Sequence, residues 1–257
     1  MQYWRIEMTG LSRNTTRLFS NQGRLFAAAL DHPQVFGVMD GLVDPIKTVG
    51  SLAVTGLDAF ILNPGIFPLL QEKTVGGKKL IMRASIGATS MSASYPDHHS
   101  VMVSPRLALT AGADAILIML ILGGSHDKDS MLEVARTVET FHEFAIPVMV
   151  EVMAADFSIN NDTAFVRNGA RIAAELGADI VKAFYCEDFA SVTRGCPVPI
   201  VLAGGPKDAD IVNVARKVVA AGCKGFAFGR NLFQSEDPVS FVTKLDAMLR
   251  GRTAADA

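Results

Sequence analysis

Short apolar runs alternate along the chain with longer amphipathic stretches, and the runs are entered at two kinds of junction. One kind repeats: Gly56-Leu57-Asp58-Ala59, Gly112-Ala113-Asp114-Ala115, Gly177-Ala178-Asp179-Ile180 and Gly222-Cys223-Lys224-Gly225 each stand before an apolar run. In each, the glycine suits the left-handed residue that ends a helix, and the polar third residue sits where a strand enters. The other kind is Lys78-Lys79, Ile146-Pro147 and Val198-Pro199. Interleaving the two sets behind a first run, Arg24 to Leu30, predicts strands near 25–31, 58–63, 79–85, 114–120, 147–153, 179–184, 199–204 and 225–229. The stretches between predict helices over 43–55, 65–72, 104–111, 128–144, 161–176, 187–194, 208–221 and 237–250. Asn161 or Asp162 opens one of these, and Ser104-Pro105 opens another with proline in its first turn.

Eightfold strand–helix alternation predicts an α/β protein of the (β/α)8 TIM-barrel type. Periodicity alone does not show closure, so an open doubly wound sheet is the alternative. The 257 residues suit one barrel of about 250 residues as well as two small domains. No Pro/Ser-rich linker or charge block divides the chain, which favours a single domain over 1–257, with 1–23 as a helical extension and 251–257 as a fraying tail.

Composition narrows the partners. An apolar fraction of 49% with 7% aromatics fits strands buried on both faces. The longest apolar run, Ala115 to Leu122, falls far short of the roughly 20 residues that span a bilayer and reads as a buried strand. The first residues lack the apolar core of a signal peptide. Cys186, Cys196 and Cys223 form neither a zinc pattern nor a disulfide framework, which points to the reducing cytoplasm. A net charge of −2 with dispersed basic residues argues against a nucleic-acid partner, so an anionic ligand needs a local site.

Barrels of this type carry their chemistry at the C-terminal ends of the strands. Asp58, Asp114 and Asp179 stand at strand starts and read as structural. The ends offer Asp31 and His32, Asn63, Arg83 and Ser85, Glu151, Lys182, Gly204-Gly205 and Gly229-Arg230. Lys182 interrupts the apolar strand Asp179 to Phe184, where an unpartnered ammonium costs several kcal/mol and burial favours the neutral amine that attacks a carbonyl. The competing reading is a lysine that faces outward or is ion-paired between helices. Asp31 faces the interior if Ala27 and Ala29 do; it then orients substrate hydroxyls or pairs with Lys182, unless it caps the next turn. By the same alternation His32 points away and is structural. Glu151 shares a face with Met149 and Met153 beside the strand of Lys182. It is either a proton shuttle or a silent ion-pair partner of that lysine. Ala203-Gly204-Gly205-Pro206 and Phe228-Gly229-Arg230-Asn231 end the last two strands, where backbone N–H groups bind phosphate, with Arg230 adding a charge and Arg83 a further candidate ligand. His98 and His99 lie in the loop from Gly87 to Ser100 without a third metal ligand and read as surface-loop residues; His126 and His142 carry no signal.

Leu30-Asp31-His32, Ala178-Asp179-Ile180-Val181-Lys182, Ala203-Gly204-Gly205-Pro206-Lys207 and Gly229-Arg230-Asn231-Leu232-Phe233-Gln234 resemble motifs of the DeoC/archaeal-type class I fructose-bisphosphate aldolase family. Arg171 to Glu175, Gly195 to Val201 and Phe233 to Ser235 are similar to its branch containing the autoinducer-2 phosphate-processing thiolase. The resemblance implies Lys182 as a Schiff-base lysine, Asp31 as an active-site carboxylate, and Gly204, Gly205, Gly229 and Arg230 around a substrate phosphate. It also implies a metal-free covalent imine in place of a cofactor, and a ring-based homo-oligomer, often a decamer. One departure matters: fructose-bisphosphate members carry a catalytic tyrosine where this chain has Met153, which argues against that substrate and passes the acid/base role to Glu151 or a residue of another strand. The expected activity is a class I aldolase working on a phosphorylated ketose or keto compound, with dihydroxyacetone phosphate held on the lysine. Its rivals are a carbon–carbon thiolase or aldol-type synthase, with coenzyme A only in the thiolase case, and a barrel that binds a phosphorylated ligand without turning it over.

Overall fold

The computed structural model describes residues 9–92, 98–204 and 210–252. The eight apolar runs form β1 (Leu25–Ala29), β2 (Ala59–Leu62), β3 (Lys79–Arg83), β4 (Ala115–Leu122), β5 (Val148–Ala154), β6 (Ile180–Ala183), β7 (Ile200–Ala203) and β8 (Gly225–Phe228). Each pairs in parallel with its sequence neighbours, and β1 pairs with β8, so the sheet closes. Closure removes the open-sheet alternative.

Period-two alternation divides each strand between two cores. Ala27, Ala29, Ile61, Ile81, Leu117, Met149, Ile180, Val201 and Ala227 fill the barrel interior. Phe26, Phe60, Met82, Ile118, Val150, Val181 and Phe226 face outward and pack with the surrounding helices. The helix Gly10–Leu18 lies at the N-terminal end of the barrel: its Leu18 joins the interior cluster, and Asn14 Nδ2 donates to the Ala145 carbonyl at 2.8 Å. Among the described residues no helix is long and apolar enough to cross a membrane.

The recurring junctions have a common physical use. The carboxylates of Asp58, Asp114 and Asp179 each accept, at 2.8 Å, the backbone N–H of Phe26, Leu80 and Val148 respectively, the strand before their own. They satisfy donors at the N-terminal rim that the ladder leaves open. Gly112, Gly177 and Gly222 have φ of 78°, 95° and 96°, as a left-handed helix stop requires. Gly56 differs: it is not left-handed, and what excludes a side chain there is the Asp246 carboxylate, which a Cβ would overlap.

Other departures from the predicted elements are local. The helix expected over 65–72 is a 3-10 turn, Pro64–Leu69, followed by a separate helical turn, Glu72–Val75, because Pro68 lacks the N–H that would continue it. The loop after β3 contains an antiparallel ribbon, Ser85–Gly87 with His99–Val101. Short helices Pro33–Phe36 and Arg230–Phe233 follow β1 and β8. The remaining helices, such as Asp127–His142, Thr163–Glu175 and Pro238–Leu249, start and stop within a few residues of expectation.

Gly225 marks where β8 closes against β1: a Cβ on it would overlap the Leu25 carbonyl oxygen. Gly225→Ala is therefore expected to destabilise the fold by about 2 kcal/mol or more, read as a lowered urea midpoint with an unchanged slope. An unchanged midpoint would show that the seam relaxes freely.

Candidate active site

Above the apolar interior, the alternation that places Ala29, Ile81, Met149 and Ile180 inside also turns Asp31, Arg83, Glu151 and Lys182 inward. Glu151 and Lys182 are register partners on adjacent strands. Lys182 Nζ lies 2.7 Å from Glu151 Oε1. The other carboxylate oxygen of Glu151 accepts from Arg83 Nη1 at 3.0 Å, and the same Nη1 donates to Asp31 Oδ2 at 2.9 Å. Each of the four is 5–7% exposed. Burying an ion costs several kcal/mol, and here two cations and two anions alternate along a line, so each charge is offset by a neighbour of opposite sign. Removing any one member strands a buried charge.

Electrostatics keep both carboxylates ionised. Burial pushes the Glu151 carboxyl up, but the Lys182 and Arg83 cations outweigh both it and the repulsion of Asp31, holding it below the usual glutamate value. For Asp31, burial likewise raises and Arg83, then Lys182 and His32, lower, with a net shift downward.

The parts that hold this line come from neighbouring loops. Arg83 Nε donates to the Ser85 carbonyl at 3.2 Å, and Ser85 Oγ accepts the Met119 N–H at 3.0 Å. Asn63 Nδ2 donates to the Asp31 carbonyl at 2.8 Å. The ribbon that begins at Ser85 is clamped to the helix Asp127–His142 twice: Val101 N–H to Glu133 at 2.7 Å, and His99 Nε2 to Ser130 Oγ at 2.8 Å. His99 is thus not the surface-loop residue its sequence context suggests; it is 1% exposed, because pairing with Gly87 carries it under the ribbon. Burial first, then His98 and Arg83, pushes its pKa down to about 4.

The cavity over these residues has a volume of about 290 Å³. On its β7–β8 side lie Ala203, Gly204, Gly229, Arg230 and Asn231. A Cβ on Gly204 would come to 3.8 Å from Asn231 Nδ2 and 3.9 Å from the Gly229 N–H, so this surface opens onto amide donors. Gly205 lies outside the described residues. The His32 ring stands over Gly229, edge-on to Phe233 with centroids 5.4 Å apart, and a Cβ on Gly229 would overlap it. His32 Nδ1 is 3.6 Å from Asp31 Oδ1, and the ring forms part of the cavity wall instead of turning away from it. A larger hollow of about 1060 Å³ lies at the opposite end, between the N-terminal helix and the strand starts at Lys79, Asp114 and Lys224. It gathers no comparable line of buried charges, and barrels of this type place chemistry at the other end.

Among the expected residues, Asp31, Glu151 and Lys182 converge, as do Ala203, Gly204, Gly229 and Arg230. Arg83, expected to bind phosphate, stands across the barrel from β7 and is committed to the two carboxylates. Gln34, Met119, Phe157 and Phe184 line the cavity without having been expected there, and Asn231 was named only as part of the segment that ends β8. Met119 and Phe184 were legible in principle, since alternation from Leu117 and from Lys182 turns them inward; Gln34, Phe157 and Asn231 sit in short helical turns after the strands, where no strand period applies.

The sequence profile of the DeoC/LacD family aldolases matches residues 25–235, and the chain belongs to that family. An uncharacterized aldolase of Saccharolobus solfataricus is 30% identical over 90% of this chain and 91% of that relative. The 2-amino-4,5-dihydroxy-6-oxo-7-(phosphonooxy)heptanoate synthase of Streptomyces griseus is 29% identical over 88% of this chain and 85% of that enzyme. An archaeal fructose-1,6-bisphosphate aldolase, solved with its catalytic lysine covalently bound to the carbinolamine intermediate, superposes with a TM-score of 0.82 at 27% identity, covering 94% of this chain and 100% of that one.

Because His99 titrates near 4 when folded and at its ordinary 6.5 when unfolded, the unfolded chain takes up its proton first as pH falls. Stability is therefore lost through that window, by about 2 kcal/mol between pH 7.5 and 5. Urea midpoints at pH 7.5 and 5 should diverge less in His99→Gln than in the wild type. Equal divergence in both would assign the acid sensitivity to other groups.

Proposed function

We propose that Lys182 is the Schiff-base nucleophile of this aldolase, acting on a phosphorylated ketose or related keto compound, with dihydroxyacetone phosphate the fragment it holds. The observation that carries this reading is the 2.7 Å contact between the Lys182 ammonium and the Glu151 carboxylate. It places a base on the nucleophile and turns an ion pair into a neutral amine and a neutral acid by one short proton transfer.

The steps follow from that contact. Glu151 takes the ammonium proton, the freed Nζ lone pair attacks the ketone carbon, and the nitrogen, now positively charged, passes one proton to the new alkoxide to give the neutral carbinolamine. The protonated Glu151 returns its proton to the carbinolamine oxygen, which leaves as water and yields the iminium. In the cleavage direction, a carboxylate removes the proton from the hydroxyl on the carbon beyond the breaking bond. The C–C electrons then flow to the iminium nitrogen, leaving an enamine on the lysine. Asp31 and Glu151 both reach the cavity. Arg83 joins them, so the charge that one gains or loses is felt by the other. Glu151 thereby fills the role that the tyrosine has in fructose-bisphosphate members, at the strand position two residues before Met153.

The phosphate is assigned to the β7–β8 side, where Gly204 opens onto the Gly229 N–H and the Asn231 amide and Arg230 supplies charge. Support comes also from the relatives, whose names specify a phosphonooxy product and a bisphosphate substrate. The three cysteines are free and buried, which suits a reducing, cytoplasmic setting.

Borohydride reduction in the presence of dihydroxyacetone phosphate should attach the fragment to the peptide that contains Lys182, and Lys182→Met should abolish the adduct. Glu151→Gln should slow both adduct formation and turnover by roughly 10² to 10⁴. An adduct on a different lysine, or none while the ligand binds, would sink the assignment.

A further inference from the structure

The cavity has a second chemical face that the covalent chemistry does not use. Met119, Ile121 and Met153 form an apolar cluster of their own, separate from the barrel core, with Phe184 packed against it. Their order around the rim is set by register: Lys182 pairs with Glu151, Glu151 with Met119, and Met153 with Ile121. Moving along the rim from β7–β8, one meets the amide donors and Arg230, then Lys182, then Glu151, then the methionines.

A keto phosphate has its own fixed order: phosphate, C1, ketone carbon, then the carbons of the fragment that leaves. With the phosphate over β7–β8 and the ketone carbon on Lys182, the remaining carbons point towards β5 and β4. The first group they meet is Glu151, beside the hydroxyl that loses its proton. Beyond it lie Met153, Met119 and Phe184. Among the described cavity residues, the arginines and lysine are Arg83, Lys182 and Arg230. Arg83 is held by two carboxylates, Lys182 is the nucleophile and Arg230 stands at the phosphate end. None of these is left to neutralise an anion on the methionine side, and a phosphate or hydroxyl pressed against methionine loses water without a replacement partner.

We infer that the substrate is a monophosphorylated keto compound whose end remote from the phosphate is a short alkyl group, so that the aldehyde exchanged at the active site is uncharged and aliphatic. The inference rests on the reading of Lys182 and the phosphate side given above. In the synthetic direction, Glu151 takes the C3 proton of the lysine-bound iminium to give the enamine, whose C3 then bonds to the aldehyde carbon as the nitrogen lone pair re-forms the iminium. The aldehyde oxygen takes its proton from the Glu151 carboxyl, and water then releases the product from the lysine.

The test uses the full-length protein with dihydroxyacetone phosphate as donor and acetaldehyde, propanal, butanal or glyceraldehyde 3-phosphate as acceptor. Propanal and butanal are expected to exceed glyceraldehyde 3-phosphate in kcat/KM by at least tenfold, and rates should rise with each added methylene until the cavity is filled. Met153→Lys, which brings a cation to the apolar side, should narrow or reverse the preference. Met153→Ala, a milder change, should shift the optimum towards a longer aldehyde. Preference of the wild type for glyceraldehyde 3-phosphate, with the borohydride adduct still on Lys182, overturns the alkyl-acceptor inference and leaves the lysine assignment standing. Absence of the Lys182 adduct removes both.

Discussion

Lys182 and Glu151 touch at 2.7 Å with almost no access to water, and the rest of the site is organised around the cost of keeping that pair buried. A lone ion pair there would recover only part of its lost hydration. Arg83 completes it by bonding Glu151 and Asp31 through one nitrogen, which extends the pair into an alternating line of four charges. The same line that makes burial tolerable also underlies the proposed chemistry. It holds both carboxylates ionised, with one of them directly against the amine proposed as the nucleophile. Structural cost and the proposed catalytic use are two consequences of one arrangement.

The barrel supplies that arrangement by register. Interior positions recur every second residue, and closure fixes which interior residues become neighbours. Glu151 and Lys182 meet because β5 and β6 pair at those residues. Asp31, just beyond β1, is tied down through Asn63, and Arg83, the last residue of β3, is braced through the Ser85 carbonyl, so the two side chains meet over the barrel. At the opposite end the aspartates of the repeated junctions saturate backbone donors, so the stabilising carboxylates and those of the candidate site are separated along the barrel axis. The division between a stabilising end and a reactive end is the one expected of this architecture.

Much of this was legible in the order of residues. Strand-period alternation and a position at strand ends made Lys182, Glu151 and Asp31 candidates, and the two kinds of junction, interleaved behind the first apolar run, were enough to count the strands. What alternation cannot carry is contact between strands that are not neighbours in sequence. The bridge from Arg83 to both Asp31 and Glu151 joins three different strand ends, and sequence reasoning sent that arginine to the phosphate instead. His99 was misread for a related reason: its burial follows from a ribbon within a long loop, where no periodicity marks which side is covered. The glycines at 56 and 225 are required by atoms of Asp246 and Leu25, distant in the chain, and no local conformational preference reveals them.

As proposed above, Lys182 exchanges its contact with Glu151 for a covalent bond to the substrate. A crystal structure of the protein cooled rapidly after soaking with dihydroxyacetone phosphate tests it most directly. Continuous density is expected from Lys182 Nζ to the ketone carbon, with the phosphate against Gly204, Gly229 and Arg230 and the Glu151 carboxyl turned to the former carbonyl oxygen. A bound ligand with Lys182 still paired to Glu151 at 2.7 Å, and no density joining the two, would contradict it.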